Sequence, residues 1–255
     1  MKHHNSKNTK KTSFSFVHGA CTHVGRLRQV NQDSHGTCPG MFVVADGLGG
    51  HAAGEVASEI AVNVIIEAGR AGLKSPEEFG EFVQQANRAI FEAAANDPSL
   101  HGMGTTVTAL AFLPDSGNRV AVANVGDSRT SLYRAGDFIR VSKDHSRVQE
   151  MIDEGRINPD DAWRHPEGNV LTRAVGIEPT TKIDVTMVTV EPQDRFILCS
   201  DGLIDEVSEE DIAEVLWRVR DPQECAERLV DMANNNGGSD NITVIVVDVV
   251  ESTEN

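Results

Sequence analysis

Two apolar patterns share the chain. Short runs rich in β-branched residues and closed by turn residues occur at 14–20, 41–45, 105–112, 119–124, 130–134, 139–141, 183–190, 195–200 and 241–250, which is how strands read. Longer stretches repeat their apolar positions at helical spacing. In 54–68, Val56, Ile60, Val64 and Ile65 fall on one face. Residues 75–95 open with Ser75-Pro-Glu-Glu, an N-cap followed by proline at the first helical position. Two more helices are predicted over 208–219, which starts close to a capping box at Ser208-Glu-Glu-Asp211, and over 222–234.

The order of these elements sets the fold class. After two consecutive helices, several strands follow with only short turns between them, such as Ala135-Gly136-Asp137 and the segment 114–117. Short turns force antiparallel neighbours, because a parallel pair needs a crossover of about a dozen residues. The expectation is an α+β layout with antiparallel sheets and helices outside. No repeat or linker divides the chain, so a single domain is expected over 14–251, preceded by a flexible arm at 1–13. The polar region 144–172, with a short helix near 148–154, reads as a flap.

Composition narrows the function. At 255 residues, 39% hydrophobic and 24% charged, the chain can bury a full core. A net charge of −16 argues against nucleic-acid or anionic-lipid partners, which need a cationic footprint. An anionic substrate would need a bound metal or a well-placed arginine. Cys21, Cys38, Cys199 and Cys225 form no C-x-x-C pair, so neither a disulfide framework nor a cysteine zinc site is expected. The Lys/Asn-rich start lacks the apolar region of a secretory signal, and no run approaches a membrane span. A cytoplasmic, monomeric protein is the expectation.

The candidate chemistry lies where acids meet strands. Met41–Ala45 runs into Asp46-Gly47, Arg195–Ser200 into Asp201-Gly202, and Val120–Val125 into Gly126-Asp127, while Asp240 stands just before the strand at 241–250. A lone Asp-Gly is ordinary turn chemistry. Several acids at the rims of buried strands are different, because each is costly to desolvate and the group repels itself unless a cation intervenes. Oxygen donors without Cys or clustered His favour Mg²⁺ or Mn²⁺. A pair of such ions is the arrangement used to displace groups at phosphorus, and Arg28 offers a guanidinium fork for phosphoryl oxygens.

These residues sit in a recognisable series. Arg28-x-x-Asn31-Gln32-Asp33, Asp46-Gly47-Leu48-Gly49-Gly50, Gly104-Thr105-Thr106, Val125-Gly126-Asp127-Ser128-Arg129, Ser200-Asp201-Gly202-Leu203 and Asp240-Asn241 occur in order. The series resembles the PP2C-like (PPM) metal-dependent serine/threonine protein phosphatases, especially the bacterial branch. The resemblance implies a β-sandwich of two antiparallel sheets flanked by helices, with two Mn²⁺ or Mg²⁺ ions at one end and a weaker third. It implies that Asp46 bridges the ions, that the Gly47 carbonyl, Asp201 and Asp240 ligate them, and that Asp127 and Asp205 hold the third. Asp33 would be an outer acid and Arg28 the phosphate anchor, with phosphoserine or phosphothreonine hydrolysed by direct attack of a metal-bridging hydroxide. The implied partners are phosphorylated proteins and a cognate serine/threonine kinase. The chain departs from many relatives in having Gln32 where they have Glu, and from animal relatives in having Leu48 where they have His; His51 reads as a helix-start residue.

Two rival readings remain. A noncatalytic phosphoprotein-binding module of the same fold would be expected to lose Asp46, Asp201 or Asp240, all present here. A dinucleotide-binding protein is prompted by Gly47-x-Gly49-x-x-Ala52, but the next element is a second helix rather than the returning strand of a βαβ unit.

Overall fold

The structure is a computed structural model that describes residues 13–49, 53–113, 117–159, 161 and 165–252. The arm at 1–12, His51, most of the turn at 114–117 and part of the flap lie outside the described residues.

Strands β1 (Ser13–His23), β7 (Arg129–Arg134), β8 (Asp137–Arg140), β10 (Arg195–Cys199) and β11 (Ile242–Ser252) form one sheet, ordered β1-β11-β10-β7-β8. Strands β2 (Asp33–Cys38), β3 (Met41–Leu48), β5 (Val107–Leu113), β6 (Arg119–Val125) and β9 (Asp184–Thr189) form the other, ordered β2-β3-β5-β6-β9, with the short β4 (Gly104–Thr105) paired to the end of β3. All these pairings are antiparallel, as the short turns require. The antiparallel neighbours of β3 also remove the dinucleotide reading, which needs a parallel βαβ unit.

Apolar residues on both sides of a strand explain the layering. In β3, Met41, Val43 and Ala45 pack toward α1 (Ala53–Gly69) and α2 (Pro76–Asn96), while Phe42 and Val44 pack between the sheets. In β11, Ile242, Val244 and Val246 meet α5 (Glu209–Arg218) and α6 (Pro222–Asn236), while Ile245, Val247 and Val249 face inward. The result is a helix–sheet–sheet–helix sandwich. The helices begin where their caps sit: Ser75 Oγ accepts from Glu78 N–H at 3.2 Å, Ser208 Oγ from Asp211 N–H at 3.1 Å, and Asp221 from Glu224 N–H at 2.9 Å.

Two elements depart from the sequence reading. Asp33–Cys38 is a strand, although it reads as polar; it lies at a sheet edge and only Asp33 is buried. Asp201–Ile204 forms a short helix, α4, directly after β10. The described stems of the flap pair with each other through the Ser146↔Leu171 bridge, next to α3 (Arg147–Asp153). Among the described residues, no helix is long and apolar enough to cross a membrane.

Candidate metal centre

Backbone pairing carries the acids to one end of the sandwich. Register places Asp33 at the start of β2 opposite Asp46 on β3. Asp201 follows β10 as the first residue of α4, Asp205 ends that helix, Asp127 lies in the turn after β6, and Asp240 precedes β11. A cleft of about 250 Å³ between the sheets is lined by Asp46, Gly47, Asp127, Asp201, Asp240 and Arg28, among others.

The main chain around Asp46 is fully committed. Its N–H donates to Thr106 Oγ1 at 3.0 Å, and its carbonyl accepts from Thr106 N–H and Thr105 Oγ1, each at 2.8 Å. Gly47 N–H donates to the Gln32 carbonyl at 3.1 Å. A Cβ at Gly47 would stand 2.1 Å from the Gly54 carbonyl oxygen, so α1 approaches β3 as closely as it does because Gly47 has no side chain. Gln32 itself braces this corner: its carbonyl also accepts from Ser58 Oγ at 2.6 Å.

Electrostatics then weigh on the carboxyls. Desolvation in the cleft, followed by repulsion from Asp201, Asp33 and Asp127, pushes Asp46 well above the usual carboxylate range. Asp201 is raised in the same way, by desolvation and then by Asp127, Asp205, Asp240 and Asp33. Asp33 rises to about 6, chiefly by desolvation, although its Oδ2 accepts from Ser200 Oγ at 2.7 Å. Asp127 also rises to about 6, by desolvation and then Asp144, and desolvation raises Asp205. Protein cations offset the cluster only in part: Arg129, itself paired with Asp144, lowers Asp127 and Asp205 without reversing their upward shifts. Arg28 meets Asp240 at 2.7 Å, but the pair is open to solvent, and such pairs are worth about 1 kcal/mol or less.

A divalent cation fits this donor set. Asp33 Oδ1 and Asp201 Oδ1 are buried with no hydrogen-bond partner, and an orphaned carboxylate oxygen is what a hard cation satisfies. The acids are gathered rather than closed: among the described residues, no three metal-binding side chains share one coordination sphere.

Sequence reasoning assigned no role to Asn241, which organises the mouth of the cleft. Its Oδ1 accepts from Gln32 N–H at 2.8 Å, and its Nδ2 donates to the carbonyls of Val24 and Val30 at 2.9 and 3.0 Å. This clamps the loop that carries Arg28. The available signal was an amide beside Asp240 at the start of a buried strand.

The model of the protein phosphatase 2C family matches residues 23–234. The chain belongs to that family. Among family members, it is 41% identical over 237 residues to the serine/threonine protein phosphatase PstP of Mycobacterium tuberculosis, covering 89% of this chain and 44% of that protein. It therefore spans less than half the length of that relative. The serine/threonine phosphatase stp of Listeria innocua is 38% identical over 235 residues, covering 88% of this chain and 92% of that one. The solved catalytic domain of PstP in complex with two manganese ions superposes with a TM-score of 0.85 at 36% identity, covering 93% of this chain and 100% of that one. The two-sheet sandwich is thus the fold of this phosphatase family.

Proposed function

We propose that the chain is a protein phosphatase that hydrolyses phosphoserine and phosphothreonine with two divalent cations, Mn²⁺ or Mg²⁺. The observation that carries this reading is the meeting of Asp46, Asp127, Asp201 and Asp240 with Arg28 at one cleft, from segments far apart in sequence, with buried Asp33 opposite Asp46 in register. The manganese-bound relative supports the choice of cation.

In this reading, Asp46 and the Gly47 carbonyl, with Asp201 and Asp240, hold the two ions, and Asp127 and Asp205 offer a weaker third position. When bound, the cations supply charge neutralisation and a nucleophilic water near neutral pH. The protein's own groups do the placing. The Arg28 guanidinium holds phosphoryl oxygens in a planar fork, and leaving its exposed pair with Asp240 costs little. Asp33, fixed by Ser200, keeps its other oxygen buried and unpartnered beside the acid cluster, and in this reading serves as an outer acceptor that orients water. The noncatalytic alternative is disfavoured because the full acid set is retained and gathered. Phosphorylated proteins, with a cognate serine/threonine kinase that makes them, are the proposed partners, and the flap at 144–172 is the proposed surface that sorts them.

The test is phosphate release from a phosphothreonine peptide. Release with Mn²⁺ or Mg²⁺ and none in excess chelator is expected; release that is indifferent to chelator would overturn the assignment.

A further inference from the structure

The cleft does not end at the carboxylates. Leu48 and Leu171, which line it, also line a second cavity of about 480 Å³ that continues along residues 171–182. Leu48 pairs with Gly104, and Ile177 lies across that glycine, where a Cβ would stand 2.7 Å from Ile177 Cδ1. The cavity therefore has aliphatic walls at the point nearest the Asp46-Gly47 turn. Ile177 is nevertheless 47% exposed.

The segment carrying Ile177 is fixed in place. Thr105 and Val175 exchange backbone hydrogen bonds of 2.9 and 2.8 Å. The buried amide of Asn87 on α2 accepts from Gly176 N–H at 2.8 Å and donates to the Glu178 carbonyl at 2.9 Å. Gly176 has φ of +92° and presses on Ile90, where a Cβ would stand 2.1 Å from Ile90 Cγ2. An aliphatic side chain held half open on a pinned backbone has already met the ordering cost of binding.

The other arm of the cleft joins it differently. Beyond Asp127 and Asp201, a cavity of about 490 Å³ mixes charged residues with Val148, Ile152, Pro159 and Ile204, just as the cavity at Ile177 also carries Arg173, Glu178 and Lys182. Its arginines are engaged, Arg129 with Asp144 at 2.7 Å and Arg140 with Glu209 at 2.8 Å. What differs is the junction with the cleft, which is Leu48 and Leu171 on the side of Ile177 and Asp127, Asn169 and Asp201 on the other, so apolar complementarity next to the cleft belongs to the arm at Ile177.

We propose that Leu48, Leu171 and Ile177 form a substrate subsite that takes an apolar side chain adjoining the phosphorylated residue of a peptide. Its continuity with the cleft identifies the occupant, and the proposal rests on reading that cleft as the place where a phosphoresidue binds.

The probes are fluorescent peptides carrying a non-hydrolysable phosphonate in place of the phosphate ester, with leucine or serine beside it on either side in turn. They are titrated with the Mn²⁺-loaded protein. A leucine peptide is expected to bind about tenfold more tightly than its serine counterpart, and Ile177→Ser or Leu171→Ser should bring that ratio close to one. Equal binding of all peptides by the unaltered protein would overturn the proposal, as would a leucine preference that survives both substitutions. Hydrolysis is read separately with the parent phosphopeptides. If no phosphate is released while the leucine preference persists, the catalytic reading fails and the subsite stands.

Discussion

The main chain of Asp46 is held by Thr105 and Thr106 whatever its carboxyl does, and this separates fold from chemistry at a single position. Asp46→Asn should therefore keep the native circular dichroism spectrum and, in chelator, melt no lower than the parent because one repelled carboxyl is gone, while phosphate release falls about a hundredfold or more. Asp240→Asn should behave alike; full activity in either variant would remove the assigned role. Asp33 permits a sharper test. Its carboxyl titrates at about 6 in the folded, metal-free protein and near 4 when unfolded. As pH rises through that window the unfolded chain releases its proton first, so stability present below about 4 is progressively lost up to about 6, on the order of 3 kcal/mol. Urea midpoints in chelator should fall with pH in the native protein and fall less in Asp33→Asn; identical slopes would show that Asp33 is not the group responsible.

Among the elements, β3 and β11 were legible because burial on both faces demands unbroken apolar runs, and acids that end or precede such runs stand out. Asp46, Asp201 and Asp240 could be picked out for that reason. Asp33–Cys38 was not legible as a strand, since an edge position asks little of its side chains. Nor could the contact of Ser200 with Asp33 be read, across 167 positions, or the clamp of Asn241 on Gln32, across 209, because tertiary folding alone joins them. Arg195 shows the same gap. From the first residue of β10 its guanidinium grips Asp248 at 2.6 and 2.8 Å and donates to the carbonyls of Leu216, Val219 and Arg220. It ties the end of α5 to the sheet. Arg195→Met leaves Asp248 and those carbonyls without a donor and should destabilise by about 3 kcal/mol, measurable as a lower urea midpoint; an unchanged midpoint would mean that packing alone holds α5.

For the whole molecule, the acid cluster is a source of instability that ligation should relieve. Mn²⁺ added to chelator-treated protein should raise the melting temperature, by an amount equivalent to about 2.7 kcal/mol at a hundredfold excess over its dissociation constant. No shift would show that the carboxylates do not bind metal. The net charge of −16 works in the same direction, since it draws divalent cations toward the protein at low ionic strength.

Strand β1 pairs with β11 along its whole length, so Ser13 lies opposite Ser252. At about 3.3 Å per residue, the eleven-residue β11 leads some 30 Å away from Asp240. The described residues accordingly begin and end side by side, and a short bridge between those serines in a chain trimmed to 13–252, with a new opening between Ala71 and Gly72 in the exposed turn linking α1 and α2, should give a circular permutant that folds and turns over phosphopeptide at the parental rate.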